Sequence, residues 1–177
     1  MSDFFLDASL LDELSVRARS VPRLRAHHNL HDSPEAQAHR MLVAMEPGSY
    51  VRPHRHLDPN KAETIVVLRG RLGVIVFDEA GGMQDAREMT PGGAVIGYNI
   101  PPGVFHAIVC LAPGTIFIEA KAGPYAVPLA AEWGTWAPAE GEPGTAEALA
   151  AMRSAFSGLG AGRAAAGPGW PRPARGG

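Results

Sequence analysis

The stretch GSYVRPHRHLDPNKAETIVVLRG, Gly48–Gly70, sets two histidines one residue apart and then an acid at the head of a strongly apolar run. In an extended chain successive side chains alternate faces. His54 and His56 therefore project from one face, with Cα atoms about 6.6 Å apart. Two imidazoles at that spacing can converge on one ion at about 2.1 Å from each nitrogen. As surface residues they would be equally at home, so the rest of the chain has to supply the other half of a site. Glu63 opens AETIVVL on the same face as Ile65 and Val67, and a carboxylate directed inward among apolar groups needs a partner. A second stretch, IPPGVFH, Ile100–His106, leads a turn into a strand that carries His106 to the face shared by Ile108 and Cys110. Three imidazoles and one carboxylate on neighbouring strands make a mixed nitrogen/oxygen set with two octahedral positions left over. Such a set suits a divalent Fe, Mn, Ni, Co or Zn.

Outward from this stretch, the chain from Arg23 to Tyr125 consists of short apolar or alternating runs separated by Pro/Gly turns: RMLVAM, YVRPHRH, TIVVL, RLGVIVF, VFHAIVC and TIFIEAK. Strand-length runs with regular turn signals read as an all-β sandwich or barrel. TIVVL and VIVF are apolar on both faces, so their outer side has to be covered by the N-terminal helix or by a second subunit; a homodimer is expected on that ground. Residues 8 to about 19, ASLLDELSVRAR, read as an amphipathic helix with Ser9 as N-cap, Asp12 and Glu13 in the first turn and Leu10, Leu11 and Leu14 on one face. The division expected is a helical extension over 1–22, a barrel over 23–142, and over 143–177 a short helix (TAEALAAMRSAF) followed from Ser157 by a flexible Gly/Ala/Pro/Arg tail. The tryptophans of WGTWAPAEGEPG are expected to pack over an edge of the barrel.

The chain has 177 residues, a formal net charge of -2 and one cysteine. That balance gives no basic field for nucleic acid or acidic lipid, and a lone cysteine fits a reducing compartment. The N-terminus, MSDFFLDASLLDELS, carries acids where a signal peptide needs basic residues, and no run approaches the length of a membrane span. A cytoplasmic protein is expected, without nucleic-acid or membrane partners.

The order Gly48, five residues, His54-x-His56, six residues, Glu63, six residues, Gly70, followed by Pro101-x-Gly103-x-x-His106, resembles the two motifs of the cupin superfamily. The resemblance implies a double-stranded β-helix, the cupin or jelly-roll barrel, with the four named residues as metal ligands. The gap before Glu63 is longer than in the commonest version of the motif, and Cys110 stands where Asn is frequent. The chain is also similar to the WbuC family of cupin metalloproteins, found with bacterial surface-polysaccharide (O-antigen) genes. That likeness covers about Arg23 to Gly141 and rests on Arg25, Asn29, Leu30 and His31, on PGSYVRPHRH, on Lys61 and Glu63, on LRGRL, on IPPGVFH, on EAKAGPY and on WAPAEG. Ala62, in place of an aromatic, and His39 before Arg40, in place of Gln, depart from its pattern.

Parity extends the site. Tyr50 and Arg52 share the face of His54 and His56, provided Pro53 introduces no bulge. Arg52 reads either as a clamp for a carboxylate or phosphate or as a structural partner of an internal acid such as Glu119. Glu119 and Lys121 share a strand face with Phe117 and read either as a surface pair or as a buried couple lining the pocket. Arg25, Asn29, His31 and Arg40 come from the segment that should cover or edge the barrel. The substrate-binding candidates are therefore Arg52, Arg25, Asn29, Arg40 and Lys121, and the acid/base candidates Tyr50, His31 and Glu119. Cys110 reads as a small buried apolar residue. The expected activity is metal-dependent chemistry on a small anionic or sugar-like substrate, an isomerase, epimerase or oxygenase. The alternative is a non-catalytic binding or sensing module.

Overall fold

The computed structural model describes residues 5–157. The tail expected after Ser157 lies outside the described residues. Eight strands carry the chain: β1 Arg25–Asn29, β2 Ala38–Met45, β3 Glu63–Arg69, β4 Leu72–Phe77, β5 Met83–Met89, β6 Gly97–Ile100, β7 Phe105–Cys110 and β8 Thr115–Ala122. They form two antiparallel sheets, a five-stranded one in the order β1-β2-β8-β3-β6 and a three-stranded one in the order β5-β4-β7. The non-consecutive neighbours, β8 between β2 and β3 and β7 beside β4, are the crossovers of a jelly roll.

The barrel interior is apolar where alternation places it. Met41, Val43 and Met45 of β2, Ile65 and Val67 of β3, Leu72 and Val74 of β4, Ile108 and Cys110 of β7, and Phe117 of β8 form one buried cluster. The opposite faces of β2, β4, β7 and β8 are covered from within the chain, while the outer face of β3 leaves Leu68 exposed. Helix α1, Ala8–Ser20, lays Leu14 and Ala18 against Leu42, Ala44 and Ile116. Helix α2, Thr145–Ser154, with Phe156 just beyond it, packs Leu149 and Met152 against Ile75, Ala107 and Val109. Gly73 leaves room for the Phe156 ring, which a Cβ at that position would strike. The two-sided apolar character of VIVF therefore has an intrachain cause, and it no longer requires a second subunit.

Helix α1 is capped two residues earlier than the sequence suggests. Asp7, not Ser9, is its N-cap, accepting a hydrogen bond from the Leu10 N–H at 3.0 Å. Asp12 and Glu13 consequently fall beyond the first turn. Among the described residues no helix is long and apolar enough to cross a membrane.

Candidate metal centre

The connection between β2 and β3 carries two of the four candidate ligands, and it is not a strand. Pro53 has no N–H to give to a ladder, and His54 alone pairs, by single antiparallel bridges to His106 and Trp133. Reciprocal backbone hydrogen bonds of 2.9 and 2.8 Å join His54 to His106, and the Gly103 N–H donates to the His56 carbonyl at 2.7 Å. Gly103 sits at φ 84°, a conformation glycine adopts without steric cost, so the Pro101-Pro102-Gly103 turn can press against the histidine loop. On the other side the Arg55 N–H donates to the Glu132 carbonyl at 2.8 Å, and the Glu132 carboxylate accepts from the Leu57 N–H at 2.9 Å. The loop is stitched on both flanks, and this brings the first motif against the second.

One ligand atom from each of His54, His56, Glu63 and His106 lies within 4.8 Å of the other three. Donors about 2.1 Å from a shared ion stand at most about 4.2 Å apart, so a small contraction closes the set around a cation. The ring nitrogens are already sorted. His54 Nδ1 lies 3.0 Å from the Arg52 carbonyl and His106 Nδ1 3.0 Å from the Val104 carbonyl. A carbonyl oxygen only accepts, so each Nδ1 carries the proton and each Nε2 presents its lone pair to the centre. His106 Nε2 is buried without a hydrogen-bond partner, 3.7 Å from Glu63 Oε1. A lone pair left facing a carboxylate is unfavourable, and a cation bound between them removes that cost. The residues present therefore fit a divalent metal.

Glu63 is held from several sides. His56 Nε2 lies 2.9 Å from Oε2, the Tyr98 hydroxyl donates to Oε1 at 3.3 Å, and Lys121 Nζ stands 3.4 Å from Oε2 and 2.6 Å from Glu119 Oε1. Burial would raise the Glu63 carboxyl, but the His56 ring and the Lys121 ammonium outweigh it and hold the group well below the usual carboxylate range. Loss of contact with water, aided by His106, pushes His54 down to about 3, which keeps it in the neutral form that ligates. Burial, then the charge of Glu63, raises Tyr98 well above an ordinary phenol. Glu119 is raised by burial and by Glu63, with Lys121 opposing. Lys121 is raised because the two carboxylates more than offset its burial.

Three of the four, His54, Glu63 and His106, line a cavity of about 480 Å³, a volume suited to a small-molecule ligand, while His56 lines a smaller neighbouring cleft. His54, Glu63 and His106 lie at one end, Met41, Val43 and Phe117 along the floor, and Glu119 and Lys121 beside the metal ligands. Arg25, Asn29 and His31 also line it, as expected of the segment that edges the barrel. The Arg25 guanidinium is already engaged by Ser49 Oγ, the Tyr50 carbonyl and Glu140. His31 stacks on His39, ring centroids 4.2 Å apart. Glu119 and Lys121 form the buried couple rather than a surface pair.

Three expected site residues are placed elsewhere. Val51 and His54, three positions apart, both face the cavity, so strict alternation fails across Pro53. Tyr50 consequently packs into the cluster under α2, its hydroxyl donating to the Pro138 carbonyl at 2.9 Å. Arg52 donates from Nε to the Gly134 carbonyl at 3.1 Å and lies 5.9 Å from the Trp133 ring centroid, and among the described residues it makes no ion pair with Glu119. Arg40 sits between inward His39 and Met41, so parity turns it to solvent, where it donates to the Leu30 carbonyl. Sequence reasoning missed Tyr98 and His27, and singled out His39 only as a departure from the family pattern. The signal for Tyr98 was present in GYNI: Ile100 lies opposite Glu63 and Tyr98 opposite Ile65, both on the inward face.

With this strand order and these two stitched motifs, the fold is that of a cupin barrel. A family model described as a domain of unknown function (DUF6016) matches residues 6–89, just under half of the chain. None of the curated proteins matches. Chains of known structure similar to this one include KdgF from Halomonas sp., at 18% identity over 60% of this chain and 85% of that chain, TM-score 0.46. A conserved protein of unknown function from Streptococcus pyogenes is 11% identical over 60% of this chain and 80% of that chain, TM-score 0.45. Oxalate decarboxylase from Bacillus subtilis is 19% identical over 56% of this chain and 28% of that chain, TM-score 0.42.

Proposed function

We propose that this cupin is a metal-dependent enzyme acting on a small anionic or sugar-like substrate, with His54, His56, Glu63 and His106 as the metal ligands. The observation that carries the reading is the buried, unpartnered His106 Nε2 beside Glu63, at one end of a cavity large enough for a substrate. A divalent ion there supplies Lewis acidity toward a carbonyl or adjacent hydroxyls, or, as Fe(II), a site for oxygen chemistry. The chain's own residues do the rest. The apolar floor excludes water, and Lys121 supplies fixed positive charge next to developing oxyanions. Of the three acid/base candidates, Glu119 has the position that supports the role. It lines the cavity beside the candidate ligands, and burial and the charge of Glu63 raise its carboxyl. His31 stands on the far side, at β1, and Tyr50 faces away. The resemblance to the WbuC family adds surface-polysaccharide synthesis as the setting, with sugar acids and nucleotide sugars as first substrates to try.

Two measurements test this. Elemental analysis of chain purified without chelator or affinity metal should find about one divalent ion per chain, and His54→Ala and His106→Ala should each lose it. Unchanged metal content in both variants removes the ligand assignment. Metal-loaded chain incubated with sugar acids, sugar phosphates and nucleotide sugars should yield product by mass spectrometry. Saturable binding with the ligand returned intact would make the protein a binding module instead.

A further inference from the structure

The layout of the cavity narrows the substrate class, an inference that rests on the metal-centre reading above. Across the five-stranded sheet Glu63 lies opposite Lys121 and Lys121 opposite His39. One step along, Asn29 lies opposite Met41, Met41 opposite Glu119 and Glu119 opposite Ile65; one further step gives His27, Val43, Phe117 and Val67. Each step between strands is about 4.8 Å, so β1 stands about 14 Å across the sheet from the Glu63 strand. The cavity spans that whole width. Its metal end is polar, its middle is apolar through Met41, Val43 and Phe117, and its far edge is polar again, since β1 turns every second residue, Arg25, His27 and Asn29, into it.

That far edge offers hydrogen-bond donors and no net formal charge. Arg23 and Arg25 share the carboxylate of Glu140, at 2.6 and 2.7 Å, and Asp32, which also lines the cavity, balances the second cation. Burial first, then Arg25, Arg23 and Lys121, hold the His27 ring below an ordinary imidazole. His27 and Asn29 remain open to solvent on this edge, so both can meet a ligand without breaking an existing ion pair.

We propose that the ligand is a two-ended oxyanion about 14 Å long, with adjacent oxygens for the metal at one end and a carboxylate or phosphate against His27 and Asn29 at the other. The stretch between the ends lies on Met41, Val43 and Phe117 and is apolar, or presents a sugar's C–H face. A single short acid would fill only the metal end.

The test uses the full-length chain loaded with Mn(II) and titrated calorimetrically with malate and with 2-hydroxy dicarboxylates lengthened to about eight and about twelve carbons, since an extended chain advances about 1.2 Å per atom. Each is paired with the monocarboxylate of equal length that lacks the far carboxylate. The far carboxylate should tighten binding of the longest member about tenfold and give malate no gain. His27→Glu should abolish that gain, while His27→Gln, which keeps a donor, should retain most of it. Short members that bind only with metal, but show no gain from the far carboxylate at any length, overturn the two-ended ligand and leave the metal centre standing. If no member binds the loaded chain better than the metal-free chain, the metal-centre reading falls and takes this inference with it.

Discussion

Replacing Lys121 with methionine separates what the fold asks of that ammonium from what the metal asks. Lys121 Nζ touches both buried carboxylates, Glu119 at 2.6 Å and Glu63 at 3.4 Å, with the three side chains 23%, 14% and 5% exposed. Methionine keeps most of the stem and removes the charge. Without metal, two carboxylates then face one another with no ammonium between them. Removing one partner of a buried ion pair costs about 3–5 kcal/mol. Lys121 keeps some contact with solvent, and Glu119 is already shifted toward its protonated form, so the low end applies, about 3 kcal/mol. For a chain of this length that lowers Tm by about 6–12 °C. A divalent ion beside Glu63 replaces the lost positive charge, so metal should raise the Tm of the variant by several degrees more than that of the parent. Thermal unfolding of both proteins, in chelator and in excess Mn(II), measures the two quantities. A variant within about 2 °C of the parent in chelator, or an equal metal-induced rise in both, would refute the reasoning.

Tyr98→Phe removes the hydroxyl that holds Glu63 Oε1 and should weaken metal binding about 10–100-fold, read by competition with a chromogenic chelator; unchanged affinity would mean that Tyr98 only fills space. Glu140→Gln tests the Arg23–Glu140–Arg25 bridge through pH. Burial opposes, but hydrogen bonds from Arg23 and Arg25 depress the folded Glu140 to about 2, so its contribution is present above the unfolded value near 4.5 and is lost as pH falls toward 2. With screening at this partly exposed pair, parent and variant should differ in urea stability by about 1 kcal/mol at pH 7 and converge near pH 2; a gap that widens on acidification contradicts the assignment. Gly73→Val should displace the Phe156 ring and cost about 1–3 kcal/mol by overpacking, with Phe156→Ala recovering part of the loss in the double variant; additive losses would place α2 elsewhere.

The parts of this fold that could be read from sequence are those where burial on one face imposes alternation. Glu63, Ile65 and Val67 share the inward face of β3, and His106, Ile108 and Cys110 that of β7, so parity alone aims Glu63 and His106, two of the candidate ligands, into the barrel. Strand β5, MQDAREM, gave no such pattern. It is an edge strand with Ala86 and Met89 as its buried residues, and too few of its positions meet the core to leave a period. Strand β6 is four residues long, which hid Tyr98 in the same way.

The histidine loop shows the opposite case, where parity predicts the ligands and misplaces their neighbours. His54 and His56 reach the centre because hydrogen bonds to His106, Gly103 and Glu132 hold the loop on both sides. Those partners are distant in sequence, and no local pattern encodes them. Pro53 abolishes the alternation that would have carried Tyr50 and Arg52 inward, and each then satisfies its polar atoms on the 134–138 segment instead. A proline inside a metal-binding loop should therefore be read as the limit of parity. Residues on its far side, here Tyr50 and Arg52, should be assigned to the wall that supports the site until a cavity-facing contact places them in it.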